Sequence, residues 1–240
     1  MQLTISNNLN FYSRCKVIRN ADDIARKVSS EYITLSVTKL YNMPNMKEHI
    51  NNIIQIGEKK ALYKGCFSEI KLNIEKLYTE NKIPEHKYKS LLKSLSVISS
   101  LLKLDKKLAI ARKEMVESEF DSSLTPKDKI KKYLSLAKKY RMGNCGECTD
   151  VAIILGHNNK LHDMHEASVY TKDDKSLDHT VLYVDNNGKP YIIDAWLGFA
   201  DFLNNTIQKY RTIYSHHFIK GDIEIKKEKY SVMCNIISKC

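Results

Sequence analysis

The stretch YRMGNCGECTDVAIIL, from Tyr140 to Leu155, holds two cysteines three positions apart, between glycines and a run of small apolar residues. From Cys145 onward the pattern predicts a helix that ends at Gly156. Three roles fit such a CxxC pair: a metal clip, a redox pair, or a nucleophile in the first turn of a helix. The surrounding sequence discriminates among them.

Composition points to a globular protein of the cytosolic type. The chain has 240 residues, of which 42% are apolar, so it can bury a core without disulfides. Its 6 cysteines lack a disulfide-like spacing, which favours reduced thiols. The first residues lack the charged and apolar regions of a secretory signal peptide, and no apolar run approaches the roughly 20 residues needed to span a membrane.

The positive charge of the chain is unevenly spread. Residues 1–140 hold 27 Lys and Arg against 15 Asp and Glu, whereas residues 141–240 hold 12 against 13. A basic surface attracts acidic proteins, nucleic acids or anionic membranes, although Lys-rich helices are also typical of a solvated face. The shift in composition predicts a boundary near residue 122, with a helical, basic portion over 1–122 and a second portion over 123–240.

The pattern between residues 20 and 140 is helical. Asn20 is the expected N-cap of a first helix, and Gly65 is the expected C-terminal stop of the helix in EHINNIIQIGEKKALYKG. EHKYKSLLKSLSVISSLLKL and LAIARKEMVESEF each predict a further helix. The last basic helix is expected to begin with Thr125 as N-cap and Pro126 at the first helical position.

Beyond the CxxC segment the pattern becomes strand-like. HEASVYT, HTVLYV and KPYIIDAW predict strands, and DNNG between the last two predicts a hairpin turn. ADFLNNTIQKYRTIY predicts a helix, and the tail DIEIKKEKYSVMCNII fits either helix or strand. We therefore expect an α+β protein, in which a helical N-terminal portion precedes a core with a Cys-bearing helix packed on an antiparallel sheet.

The metal and redox hypotheses fit the sequence poorly. Cys145 and Cys148 are followed by His157, His162 and His165, with 13 residues between the CxxC and the His-x-x-His pair, which misses zinc-finger spacing. The intervening TDVAIILG also predicts a buried helix rather than a finger's hairpin. A redox pair needs a preceding βαβ context, where this chain has a Lys-rich helix. Two buried structural cysteines stay an open alternative.

The nucleophile hypothesis makes demands that the sequence meets. A helix N-terminus stabilises a thiolate through its unpaired N–H groups and positive dipole end, and Cys145 lies there, whereas Cys148 lies one turn deeper and is expected to be packing. A thiolate also needs a base and an acid that orients the base. His179 begins one predicted strand and Asp194 ends the next, so they are the candidates for those two roles.

The predicted hairpin brings His179 and Asp194 to one face of the sheet. A two-residue loop at Asn187 and Gly188 pairs residues whose numbers sum to 375, and a four-residue loop from Asp185 to Gly188 pairs residues that sum to 373. In both registers odd positions pair with even ones, so the two side chains share a face. The longer loop would set them directly opposite each other.

With these residues in order, the sequence resembles the transglutaminase-like branch of the papain-like superfamily of cysteine enzymes. The resemblance rests on GNCGE at a helix start, the strand HEASVYT, the His in DHTVLYV and the Asp in YIIDAW, and covers about residues 125–200. The compact spacing is similar to that of glutamine deamidases found among bacterial toxins and effectors. Val181 replaces the aromatic residue that transglutaminases usually carry two positions after the His, which disfavours crosslinking.

The resemblance implies a Cys-His-Asp triad that acts on an amide through a thioester, without metal or cofactor. In that scheme Cys145 attacks, His179 carries the proton, Asp194 orients the imidazole, and Asn144 helps to bind the oxyanion. Trp196 either shields the His-Asp bond or is an ordinary core residue. The expected reaction is glutamine deamidation of a host protein by a secreted virulence effector in the host cytosol, with proteolysis or transglutamination as alternatives.

For the basic portion we expect a docking role toward an acidic protein, and nucleic acid is a less favoured partner. The alternative of another class is a noncatalytic binding module, in which basic helices grip the partner and the CxxC is structural, with or without zinc.

Overall fold

The computed structural model describes residues 16–36, 39–40, 43–171, 179–214 and 222–240. Its elements are, in chain order, α1 (16–27), a π-helical turn (Val28–Tyr32), α2 (Pro44–Gln55), α3 (Lys59–Lys64), α4 (Phe67–Thr79), α5 (Glu85–Phe120), α6 (Pro126–Tyr140), α7 (Cys145–Asn158), β1 (Met164–Thr171), β2 (His179–Val184), β3 (Tyr191–Asp194), β4 (Phe199–Phe202), α8 (Leu203–Tyr214), β5 (Ile223–Lys227) and α9 (Val232–Ile237). The expected α+β class is confirmed. Within the described residues, no helix is both long and apolar enough to cross a membrane.

The chain divides into two compact units. Unit 1 contains Met1–Leu35 and Ala111–Cys240, and unit 2 contains Ser36–Ile110. The boundary that composition suggests near residue 122 falls inside unit 1. Met115, near the end of α5, is buried in the same core as α1 and α7, so the last turns of this helix belong with the sheet.

Unit 2 is a set of helices around its own apolar core. Gly65 ends α3 in the left-handed conformation, with φ of 71°, as predicted. The preceding segment is not one helix, because Gly57 with φ of 86° separates α2 from α3. The core contains Ile53, Leu62, Ile70, Ile74, Leu91, Leu95 and Ile98.

The helical character of the next two segments is confirmed, but the break between them and the N-cap at Asn20 are wrong. EHKYKSLLKSLSVISSLLKL and LAIARKEMVESEF belong to one helix, α5, since the intervening residues contain neither Gly nor Pro to end it. Asn20 is not an N-cap, because it lies inside α1. The cap at the start of α6 is confirmed: the Thr125 hydroxyl accepts a hydrogen bond from the Asp128 N–H at 3.2 Å, and Pro126 follows at the first helical position.

Unit 1 is built on a five-stranded sheet of order β4-β3-β2-β1-β5, with each neighbouring pair antiparallel. The three predicted strands are β1, β2 and β3. The tail contributes both β5, paired with β1, and α9. The strand β4 is additional to the predicted ones, and it precedes the predicted helix α8.

The hairpin between β2 and β3 has the first of the two predicted registers. Leu182 faces Ile193 and Val184 faces Tyr191, so partner numbers sum to 375. Asn187 and Gly188 have φ of 51° and 74°, and the Lys189 N–H donates to the Asn186 carbonyl at 3.0 Å. Two left-handed residues at the turn are the type I′ arrangement that matches the twist of a hairpin.

Helices cover both faces of the sheet. The middle of α7 is apolar all around, as expected of a helix buried on every side, and Val151 and Ile154 share a core with Leu182 and Ile193 of the sheet. Residues of α1, α6 and α9 complete this core. The opposite face carries Ala167, Val169, Val181 and Ile192, and Tyr210 of α8 packs against them.

Candidate active site

Cys145 is the first residue of α7, as predicted, with Asn144 as the N-cap. Asn144 and Glu147 form a capping box, in which the Asn144 N–H donates to the Glu147 carboxylate at 2.7 Å. Arg112 of α5 donates to both Glu147 oxygens, at 2.5 and 3.2 Å. The charge of Glu147 beside the thiol is therefore offset by a guanidinium, and the helix N-terminus is fixed at this position.

The turn before Cys145 is held by the N-terminal segment of the chain. The N–H groups of Thr34 and Leu35 both donate to the Arg141 carbonyl at 3.1 Å. A side chain at Gly143 would bring its Cβ within 2.9 Å of the Glu147 Cβ and 3.0 Å of Ile33 Cδ1. Glycine is thus required here by close approach of the two segments, which makes GN before the cysteine a packing feature.

His179 and Asp194 form a buried hydrogen bond. His179 Nε2 lies 2.7 Å from Asp194 Oδ2, and the two side chains are 3% and 0% exposed. In the observed register they are diagonal neighbours on one face, so the predicted shared face is confirmed. The Cys145 side chain also hydrogen-bonds to the His179 imidazole, whose Nε2 faces the carboxylate.

The pKa of His179 reflects opposing influences. Burial lowers this pKa, but the charge and hydrogen bond of Asp194, together with the hydrogen bond and charge of Cys145, outweigh burial and raise it to about 9. The imidazolium is therefore the favoured form at neutral pH, where it stabilises a neighbouring thiolate.

Each carboxylate oxygen of Asp194 is buried and accepts a hydrogen bond from the protein. Oδ1 accepts from the Leu197 N–H at 2.8 Å, and Oδ2 accepts from the Tyr210 hydroxyl at 2.6 Å in addition to the imidazole. The Gly198 N–H also donates to the main-chain carbonyl of Asp194 at 2.8 Å. The carboxylate is thereby fixed in orientation toward His179.

The three side chains meet where β2 begins. His179 lies on the sheet face opposite to the one that α7 covers, and it is the first residue of β2, so the helix N-terminus reaches it at the start of the strand. The Thr149 hydroxyl, one turn into α7, donates to the Thr180 carbonyl at 3.0 Å. This bond connects the helix that carries the sulfur to the strand that carries the imidazole.

Trp196 lies against the imidazole. Its ring centroid is 5.1 Å from that of His179, with 52° between the ring planes, and the indole is partly buried against the unit 1 core. Both predicted roles are therefore met in part: the ring packs on the core and also covers one side of His179.

The alternatives for the CxxC pair gain no support from the described residues. Cys148 is 2% exposed and belongs to the core, as its position one turn deeper predicts. Cys145 and His157 lie at opposite ends of α7, roughly 18 Å apart at 1.5 Å per residue, too far for one zinc ion. The described part of the chain contains no group of three or more His, Cys, Asp or Glu that could hold a metal ion.

A second group of polar side chains lies farther along α7. The Tyr133 hydroxyl donates to Asp150 Oδ2 at 2.8 Å. Burial and the negative charge of Glu119 raise the pKa of Asp150 well above its usual value. Burial, with the charges of Glu166 and Glu147, raises the pKa of Glu119 to about 7. This environment favours protonated carboxyl groups.

Several residues of the site have no sequence signal of their own. Tyr210 is one of several aromatic residues in a predicted helix, and its hydroxyl contact depends on how α8 packs across the sheet. Glu147 could have been recognised from the Asn-x-x-Glu capping pattern. The role of Asn144 as an oxyanion donor stays a prediction, since it is placed as the N-cap.

Comparison of the chain with known protein families, with curated proteins and with solved structures finds no match. Function therefore has to be inferred from the geometry and chemistry of these side chains.

Proposed function

We propose that the protein is a cysteine-dependent hydrolase that acts on an amide through a thioester, with Cys145, His179 and Asp194 as its triad. The observation that carries the proposal is that the His179 imidazole contacts both a thiol and a buried carboxylate. The thiol is that of Cys145 at the N-terminus of α7, and Nε2 lies 2.7 Å from the Asp194 carboxylate. Thiol acyl transfer requires a nucleophile that contacts a base, and a third group that contacts the base and orients it.

The proposed reaction has two halves. The Cys145 thiolate attacks the carboxamide carbon, the C–N bond breaks, and His179 gives its proton to the departing ammonia, leaving a thioester. Water then attacks the thioester, His179 takes a proton from it, the C–S bond breaks, and a carboxylic acid is released with the thiolate restored. Asp194 stabilises the imidazolium in both halves.

The developing oxyanion needs donors at the helix N-terminus. The N–H groups of the first turn of a helix point away from the helix body, and Cys145 lies in that turn. We propose the Cys145 N–H as the first donor, with Asn144 as the second.

The substrate we propose is a glutamine side chain of a partner protein, as the resemblance to papain-like and transglutaminase-like deamidases implies. The same resemblance points to a bacterial effector that acts in a host cytosol. Unit 2 carries 14 lysines against 7 acidic residues, which favours an acidic surface on the partner. We propose unit 2 as the docking part of the protein.

The first test is a comparison of the wild-type protein with Cys145→Ala. Iodoacetamide should alkylate Cys145 rapidly near pH 6, ahead of Cys66, Cys234 and the exposed Cys240, because Cys145 has an imidazolium partner. In a host-cell lysate the wild-type protein should convert a glutamine to glutamate, a gain of about 1 Da, and Cys145→Ala should not. Mass spectrometry of the labelled peptides and of proteins captured by Cys145→Ala measures both.

The matched control is Cys148→Ala, which removes the buried thiol of the same CxxC pair and should leave the reaction in place. Capture of an acidic partner should weaken as salt rises, in accordance with charge-driven docking. A folded Cys145→Ala protein with full activity, or uniformly slow thiols in the wild type, would reject the enzyme and favour the binding module.

A further inference from the structure

Tyr210 contacts the triad from the sheet face that α8 covers. Its side chain is fully buried, and its hydroxyl donates to Asp194 Oδ2 at 2.6 Å. The same oxygen holds His179 Nε2 at 2.7 Å. One carboxylate oxygen is thus shared between a phenol and the imidazole.

Packing alone does not require the hydroxyl. The Tyr210 ring meets the edge of His179 at 5.9 Å and 86°, and that of Phe199 at 6.0 Å. A phenylalanine ring would make both contacts. The hydroxyl is instead buried against the one carboxylate that orients the base, so its contribution is electrostatic.

We infer that Tyr210 is a positioning residue, which limits how strongly Asp194 holds the proton on His179. The inference rests on the proposed function, because it assigns a role in the same proton transfer. Tyr210 touches neither the sulfur's target carbon nor the leaving group, and it acts through Asp194.

The direction of the effect follows from the shared oxygen. A phenol bonds most strongly to Asp194 when the carboxylate faces a neutral imidazole, because an imidazolium already draws on the same negative charge. The Tyr210 hydroxyl therefore stabilises the neutral-imidazole state more than the imidazolium state. Its removal should raise the pKa of His179 and make the imidazolium a weaker acid toward the leaving amine.

Few other titratable groups face the imidazole from the described elements. Asp194 comes from β3, Cys145 from α7 and Tyr210 from α8. Lys209 of α8 pairs with Asp201 of β4 at 2.8 Å. The shared oxygen is therefore the hydrogen-bonded contact through which α8 influences the charge on His179.

The experiment compares Tyr210→Phe with Tyr133→Phe in the full chain. Both variants remove a buried hydroxyl that donates to a carboxyl group, at 2.6 Å in the triad and 2.8 Å at Asp150. The readout is the NMR titration of the His179 ring, identified by its loss in His179→Ala. We expect Tyr210→Phe to raise the titration midpoint of His179 from about 9 by about one further unit, and Tyr133→Phe to leave it unchanged.

A second variant keeps the test decisive if Tyr210→Phe does not fold. Replacement of Tyr210 by 3-fluorotyrosine makes the hydroxyl a stronger donor without changing the packing, so the midpoint of His179 should fall. Midpoints equal to the wild type in the folded variants overturn the inference, and a purely structural Tyr210 would give that result.

Iodoacetamide labelling separates this failure from failure of the proposed function. If wild-type Cys145 is alkylated fast near pH 6 while His179 titrates identically in all variants, the triad stands and the role of Tyr210 is rejected. If wild-type Cys145 reacts no faster than Cys240, the triad itself is rejected, and the inference is rejected with it.

Discussion

Two buried tyrosines in unit 1 donate to carboxyl groups, and the two carboxyl groups are in opposite electrostatic situations. Tyr210 donates to Asp194, which also faces an imidazole whose pKa is raised to about 9. Tyr133 donates to Asp150, where burial and the charge of Glu119 raise the pKa of the carboxyl. The neighbour of the first carboxyl is an imidazole that favours its positive form, whereas burial and negative neighbours raise the pKa of the second.

A buried tyrosine–carboxyl contact therefore does not by itself identify a functional site. The identity of the third group decides it: an imidazole in one pair, further carboxyl groups in the other. In the proposed reaction, the first pair orients the imidazole that transfers the proton. The second contributes to folding and responds to bulk pH.

The largest effect is expected when each aspartate is replaced by asparagine. Asp194→Asn should lower the rate of thiol-dependent turnover by about 100-fold or more, because the imidazole loses the group that fixes its orientation and charge. Asp150→Asn should change it less than about threefold, because Asp150 bonds to Tyr133 and not to the imidazole. Alkylation of Cys145 near pH 6, followed by mass spectrometry, reports the same contrast without a known substrate.

The same pair of variants predicts a difference in pH dependence. The raised pKa of His179 contributes stability that is fully present below its unfolded pKa of 6.5 and is lost as pH rises through about 9. Asp194→Asn should abolish this loss, and Asp150→Asn should leave it. Equal effects of the two substitutions on activity would contradict the assignment of the triad.

A smaller effect is expected from Glu119→Gln. The folded protein retains a proton on Glu119 up to about pH 7, whereas the unfolded chain releases it near the usual 4.5. Stability should therefore fall as pH rises between these values, and Glu119→Gln should reduce that fall. Urea unfolding at several pH values measures it. The control is Glu117→Gln on the same helix, an exposed residue paired with Lys113 at 3.8 Å, whose pH dependence should match the wild type.

The smallest effect concerns the bond that connects α7 to β2. Thr149→Val removes the hydroxyl that donates to the Thr180 carbonyl and should cost about 1 kcal/mol of unfolding free energy. Thr206→Val removes a comparable buried bond, to the Asp201 carbonyl at 3.2 Å, outside the site. Both should be similarly destabilised in urea, but only Thr149→Val should slow Cys145 alkylation. A rate unchanged in both would mean that this bond does not align the sulfur with the imidazole.

Local sequence patterns were sufficient to predict the helix and the two strands that carry Cys145, His179 and Asp194. Strand alternation and an Asn-Gly turn predict that His179 and Asp194 share a face, because both depend on neighbours in the chain. The helix start at Cys145 is likewise a local feature, although α7 continues past Gly156 to Asn158. A buried glycine need not end a helix when its surroundings pack well.

Such local patterns could not predict contacts between distant parts of the chain. The short strand β4 exists because Phe199 and Ala200 pair with β3, and β5 because it pairs with β1 far back in the sequence. Composition suggested a cut near residue 122, but the segment before residue 36 closes the turn ahead of Cys145. Charge and hydropathy indicate which residues face water, but they do not identify the segment of the chain that covers an apolar face.

Unit 1 is formed by two stretches of the chain that unit 2 separates, and this has a consequence for biosynthesis. Buried residues of α1, near one end of the chain, share a core with Met233 and Ile236 of α9, near the other. Because translation runs from the N-terminus, a ribosome releases α1 before unit 2 and α9 after it. The core that supports the helix of Cys145 is therefore complete only after α9 has been made, so a nascent chain that lacks α9 lacks part of that support.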